Sequence, residues 1–109
     1  MEECLIYLVH LSAAGASACT VRPLPPLCMP QQLLPGDAVF RGVGRMDGQD
    51  VYLYATHAPA AQDDDPAPAP FLAHLVRLAT AFQAPQDFVL TRGAEGVHLT
   101  TRDLQEDLF

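Results

Sequence analysis

"AVFRGVGRMDGQDVYLYATH", residues 38–57, reads as two strands around a tight turn. Asp47-Gly48 is a strong hairpin signal, because a two-residue turn matching the strand twist needs positive φ at both positions. In the second run Val51, Leu53 and Ala55 alternate with Tyr52, Tyr54 and Thr56, giving one core face and one mixed face. In the first run Phe40 and Met46 are expected to share a face with Gly42 and Gly44. Paired glycines inside a strand point to a bulge or to close approach by another element.

Strand signals continue on the N-terminal side. "LIYLVHL" (5–11) is a continuous apolar run and reads as a strand covered on both faces. "CTVRPL" (19–24) is a second strand, held to an edge by Pro23, Pro25, Pro26 and Pro30. The stretch 25–37 is a Pro-bounded connection with one helical turn near Gln31–Leu34.

On the C-terminal side, "APAAQDDDPAPAP" (58–70) is acidic and Pro-rich and reads as an exposed loop, with residues 60–69 expected to be mobile. The run Asp63-Asp64-Asp65 is expected to be a solvated charge run, since no second ligand cluster accompanies it. "PFLAHLVRLATAFQ" (70–83) places Phe71, Leu75, Leu78 and Phe82 on one helical stripe, with Pro70 suited to the first helical position. "DFVLTRGAEGVHLTTR" (87–102) is a second hairpin with a Gly-bounded turn. The expectation is a single α+β domain over 1–103, an antiparallel sheet with one amphipathic helix packed on one face, followed by a peptide at 104–109.

Composition narrows the function. The chain of 109 residues carries a net charge of −7, with six basic residues, all Arg and scattered. Such a surface repels phosphate backbones, so direct nucleic-acid binding is disfavoured. Three cysteines, an odd number, argue against a closed disulfide framework and for free thiols. Met1-Glu2-Glu3 is acidic where a secretory signal needs positive charge, and no apolar run is long enough for a membrane span. The expected location is cytoplasmic, with no membrane partner.

No catalytic signature stands out. His10, His57, His74 and His98 lie at no metal-motif spacing with each other or with a cysteine. "RGVGRMDG" is glycine-rich but lacks the strand-to-helix setting of a phosphate loop. The expectation is a noncatalytic protein with no cofactor and no metal.

Gln105-Glu106-Asp107-Leu108-Phe109 resembles the pentapeptide by which bacterial proteins bind the replicative sliding clamp, roughly Gln-x-(Ser/Asp)-Leu-Phe. Gln105, Asp107, Leu108 and Phe109 match; Glu106 stands where Leu is favoured. The resemblance implies a partner, the clamp, and an accessory or inhibitory role in DNA replication, repair or translesion synthesis. The chemistry suits docking: a carboxamide donates and accepts at once, and Leu108 with Phe109 forms a compact apolar plug. Leu104 and Leu108 also stand four apart, so the same residues can be one helical turn packed on the sheet. The order hairpin, helix, hairpin over 38–102 loosely resembles roadblock and longin-like domains, although roadblock domains open with a helix. That resemblance implies a dimerising scaffold as the alternative, and a second protein or a homodimer as partner of the folded part. A small enzyme with an unrecognised Cys or His site is the third reading.

Overall fold

The computed structural model describes residues 4–11, 17–61 and 64–101. They form three hairpins laid side by side. Strands β1 (Cys4–Leu11) and β2 (Ser17–Leu24) make the first, β3 (Val39–Met46) and β4 (Gln49–Thr56) the second, and β6 (Gln86–Gly93) and β7 (Gly96–Thr101) the third. A two-residue strand β5 (Asp65–Pro66) and helix α1 (Ala69–Thr80) link the second hairpin to the third. The sheet order is β5-β2-β1-β4-β3-β6-β7.

The expected antiparallel sheet is corrected to a mixed one. Each hairpin is antiparallel within itself, but β1 pairs with β4 and β3 pairs with β6 in parallel. The reason is non-local. A turn fixes the two strands it joins, whereas the contact between hairpins depends on how the long connections carry the chain across the sheet.

Those connections build the two layers. α1 lies on one face, where Phe71, Leu75 and Leu78 meet Tyr7, Val9, Leu53, Phe88 and Leu90 in the main core. The helix has no side-chain N-cap and no acidic residue in its first turn. Its stability therefore comes from packing, about 1.5–3 kcal/mol for each buried large side chain. Pro70 falls at the second helical position, and the helix ends at Thr80, so Phe82 lies beyond it, half-buried against the same core. On the opposite face Leu24, Leu33, Leu34 and Ala38 cover Ile6, Leu8 and Tyr54. The covering segment includes a short 3-10 turn at Pro30–Gln32. Strand β1 is thus buried on both faces, as its unbroken apolar run implies.

The hairpin turn behaves as its sequence requires. Asp47 has φ 51° and Gly48 has φ 85°, the left-handed pair of a type I′ turn. Asp47 also accepts from the Arg92 backbone N–H at 2.9 Å and from Arg92 Nε at 3.0 Å, which pins the turn to β6. The Arg92 guanidinium in turn lies 5.1 Å from the centre of the Phe71 ring.

Strand β3 departs from simple alternation. Its register with β4 shifts between Phe40 and Gly42, so Arg41 is the extra residue of a bulge. Phe40 therefore turns to the face of Tyr54, edge-on at 5.5 Å between ring centres, while Met46 stays in the helix-side core. The expectation that Phe40 and Met46 share a face is corrected by that one inserted residue.

The acidic loop is tied down more than its composition suggests. Asp65 and Pro66 pair with Val21 and Thr20. Asp64 makes an ion pair of 3.0 Å with Arg22, and the Ala67 N–H donates to the Cys19 carbonyl at 2.8 Å. Asp64 is therefore a partner of the sheet edge and not part of a purely solvated run. Among the described residues no helix is long and apolar enough to cross a membrane.

Candidate functional site

The sequence-predicted peptide residues Gln105, Asp107, Leu108 and Phe109 lie outside the described residues. The structure fixes their point of departure: Thr101, the last residue of β7, which is the rim strand of the sheet. Only residues 102–104 separate that rim from Gln105.

Two of the concavities among the described residues carry polar side chains. The larger, about 500 Å³, is an open groove on the face opposite α1. It is lined by Cys4, Val43, Arg45, Asp50, Tyr52 and Asp87 among others. The covering segment 25–38 stops short of it. Arg45 Nε donates to Asp50 Oδ1 at 2.8 Å across its floor. The Cys4 thiol is pushed above its ordinary pKa, first by burial and then by the Asp50 carboxylate. A thiol held protonated is a poor nucleophile, so the groove presents a charged and apolar surface without an activated group.

The smaller concavity, about 170 Å³, sits at the end of β4 beside the bulge. Arg41, Asp37, Thr56 and His57 supply its polar wall, and Leu11, Val39, Ala55 and Ala79 the apolar one. Arg41 Nη2 donates to the Phe82 carbonyl just past α1. Its Nε–H is buried and, among the described residues, has no hydrogen-bond partner. In the same polar wall Asp37 accepts from the Thr56 hydroxyl and, at 3.0 Å, from the His57 backbone N–H. These two bonds, the Thr56 hydroxyl first, hold the Asp37 carboxyl below the usual carboxylate range.

Behind that wall runs a satisfied polar network. The Thr56 hydroxyl accepts from the Ala58 N–H at 3.0 Å. His10 Nδ1 lies 2.9 Å from the Ala58 carbonyl, which can only accept, so Nδ1 carries the proton. Nε2 then accepts from the Thr20 hydroxyl at 2.8 Å in the neutral ring. A buried histidine with both nitrogens engaged by neutral partners orders this corner of the sheet. Cys4 and His10 share a strand face but stand at opposite ends of β1. Among the described residues no group of three or more His, Cys, Asp or Glu side chains is arranged to hold a metal ion.

Sequence reading missed the Arg41 pocket. The two glycines flagged a bulge, but which side chain the bulge redirects depends on β6 and α1, which are distant in sequence.

Comparison with protein-family models, with curated proteins and with solved structures finds no match to this chain.

Proposed function

We propose that the protein is a noncatalytic accessory of bacterial DNA replication, repair or translesion synthesis that docks on the sliding clamp through residues 105–109. The observation that carries the reading is the side-chain pattern of Gln105, Asp107, Leu108 and Phe109, an amide anchor followed by an apolar plug. What supports it in the folded part is that the described chain leaves the sheet at Thr101, the last residue of β7, which ends the strand order. The acidic charge fits a role that needs a protein partner and no contact with DNA. Burial of Leu108 and Phe109 in a cleft is worth about 1.5–3 kcal/mol each before ordering costs, which points to micromolar affinity. Capture of purified bacterial sliding clamp by the full chain, and its loss when 105–109 are removed, tests the reading.

A second reading, a dimerising scaffold, is favoured by one observation. Among the described strands β7 stands last in the sheet order, and Gly96–Thr101 contains no Asp, Glu, Lys, Arg or Pro. Rim strands of monomers are usually guarded by such residues. Sedimentation equilibrium separates the readings: a dimer that ignores the clamp supports the scaffold, and a chain that binds the clamp supports the accessory.

A further inference from the structure

We propose that two copies of this chain join edge to edge through β7, antiparallel about a two-fold axis, with Leu99 of one copy opposite Leu99 of the other. The two sheets then run on as one. The proposal rests on the dimer of the scaffold reading, names where the copies meet, and leaves the clamp reading untouched.

The backbone prepares the edge. In β6 the Leu90 carbonyl accepts from the Asp47 N–H at 2.9 Å, and the Arg92 N–H donates to Asp47 Oδ1 at 2.9 Å. Residues 90 and 92 therefore turn their backbone groups towards the β3 side. These groups alternate along a strand, so Val89, Thr91 and Gly93 turn theirs towards β7. Their partners there are Thr100, His98 and Gly96. The intervening Val97 and Leu99 consequently point N–H and C=O away from β6, at the end of the described strand order. Each offers one donor and one acceptor, the pattern that an added strand needs. The two ends of the sheet differ in this respect. At the far end β5 presents Asp65 and Pro66, residue types that deter edge pairing. Gly96–Thr101 has no Asp, Glu, Lys, Arg or Pro.

Charge selects a second copy as the partner. The chain has 13 acidic against six basic residues and a net charge of −7, so two copies repel each other wherever their acidic surfaces meet. Strand β7 brings none of those charges to the seam. With Leu99 opposite itself, Val97 meets Thr101 and His98 meets Thr100, and no like charges face each other within the strand. This register also sets outward-pointing residues of one copy against those of the other, as hydrogen-bonded pairs require. Val97 and Leu99 are half-buried against the core on the α1 side. The two-fold axis brings them together on that one face, so the seam lengthens the core. His98 and Thr100, both exposed, pair on the other face.

The test is sedimentation equilibrium of the full chain, paired with isotope-filtered NMR on a mixture of labelled and unlabelled chain. One strand pair makes a small interface, so a dimer with a Kd of about 10–100 µM is expected. A contact between the Hα of His98 in one copy and the Hα of Thr100 in the other should appear with it, because facing residues that exchange no hydrogen bonds come closest at Cα. His98→Lys/Thr100→Lys sets like charges against each other twice across the seam. It should raise the Kd by about tenfold or more, even though it lowers the net negative charge. His98→Lys/Thr100→Glu sets opposite charges there and should keep the Kd within about threefold of the parent. Both positions are exposed, so both variants should melt with the parent; should either fail to fold, the Hα contact decides alone. A monomer throughout would overturn the proposal and the scaffold reading together. A dimer without the Hα contact, or one that ignores the like-charge variant, would overturn the proposal and leave the scaffold reading standing. Pairing of Val97 and Leu99 with another segment of the same chain would overturn it as well.

Discussion

Gly42 and Gln86 are so close that a Cβ on Gly42 would lie 2.0 Å from the Gln86 carbonyl oxygen. Gly42 also has φ +145°, a conformation that side chains rarely adopt. Both constraints act at the parallel seam between β3 and β6, where Gly42 pairs with Gln86. Gly42→Ala should therefore destabilise the fold by about 3 kcal/mol or more, through backbone strain and a displaced β6. Urea unfolding checks it, and a midpoint within error of the parent would contradict the seam. Gly44→Ala should behave similarly, because its Cβ would meet the Phe88 ring and carbonyl at 2.5 Å.

The helix stripe is graded by its fit to the sheet. Phe71 is 2% exposed and Leu75 is fully buried, whereas Phe82 lies past the helix end and is half-buried. Phe71→Ala should cost about 3–5 kcal/mol and Leu75→Ala about 2–5 kcal/mol. Phe82→Ala should cost clearly less than Phe71→Ala. Equal costs in thermal melting would show that Phe82 is a full core member.

Acid should weaken the protein through two aspartates. Asp37 is held below the ordinary carboxylate range by the Thr56 hydroxyl and then by the His57 N–H. Asp47 is held there by the Arg92 backbone N–H and then by the Arg92 side chain. A carboxyl with a depressed folded-state pKa gives stability that is present above its unfolded value, about 3.9, and lost as pH falls through the folded value. Stability should therefore be steady above that value as far as these two groups are concerned, and should decline below it. Asp47→Asn should flatten part of the decline. An unchanged acid limb in the Asp47→Asn variant would contradict its role.

Cys19 should be inert in the native state. Burial pushes its thiol up to about 12, and only 4% of the residue is exposed. The thiolate is the reactive form, so alkylation at pH 8 should wait for unfolding. Labelling of Cys19 by iodoacetamide as fast as that of a denatured control would contradict its burial.

The sequence made the local elements readable and left the assembly hidden. Asp47-Gly48 announced its hairpin, the Phe71–Leu75–Leu78 stripe announced the helix, and the apolar run of β1 announced burial on two faces. Each signal is confined to neighbours in sequence. The parallel contacts β1–β4 and β3–β6 join residues far apart, so no periodicity encodes them. Pro66 and its flanking aspartates suggested a free loop because composition does not record that Arg22 waits on β2 for Asp64. The pocket was hidden for the same reason. Arg41, Asp37 and Thr56 become neighbours only after the bulge and the end of β4 are in place. The peptide 105–109, by contrast, is a linear pattern outside the described residues, and its reading as a clamp-docking peptide remains a proposal from sequence.

The most direct measurement is a titration of purified bacterial sliding clamp with the full chain and with its Leu108→Ala/Phe109→Ala variant, paired with a melting curve of each. A plug buried only in the complex contributes nothing to the free domain. The account predicts about micromolar binding by the parent chain, loss of binding by the double variant, and unchanged melting. Gln105→Ala should weaken binding by about 1 kcal/mol or more, since it removes a polar anchor without removing apolar area. Undiminished clamp binding by the double variant, or no binding by the parent chain, would contradict the account; a loss of several kcal/mol of stability would instead place Leu108 and Phe109 in the core.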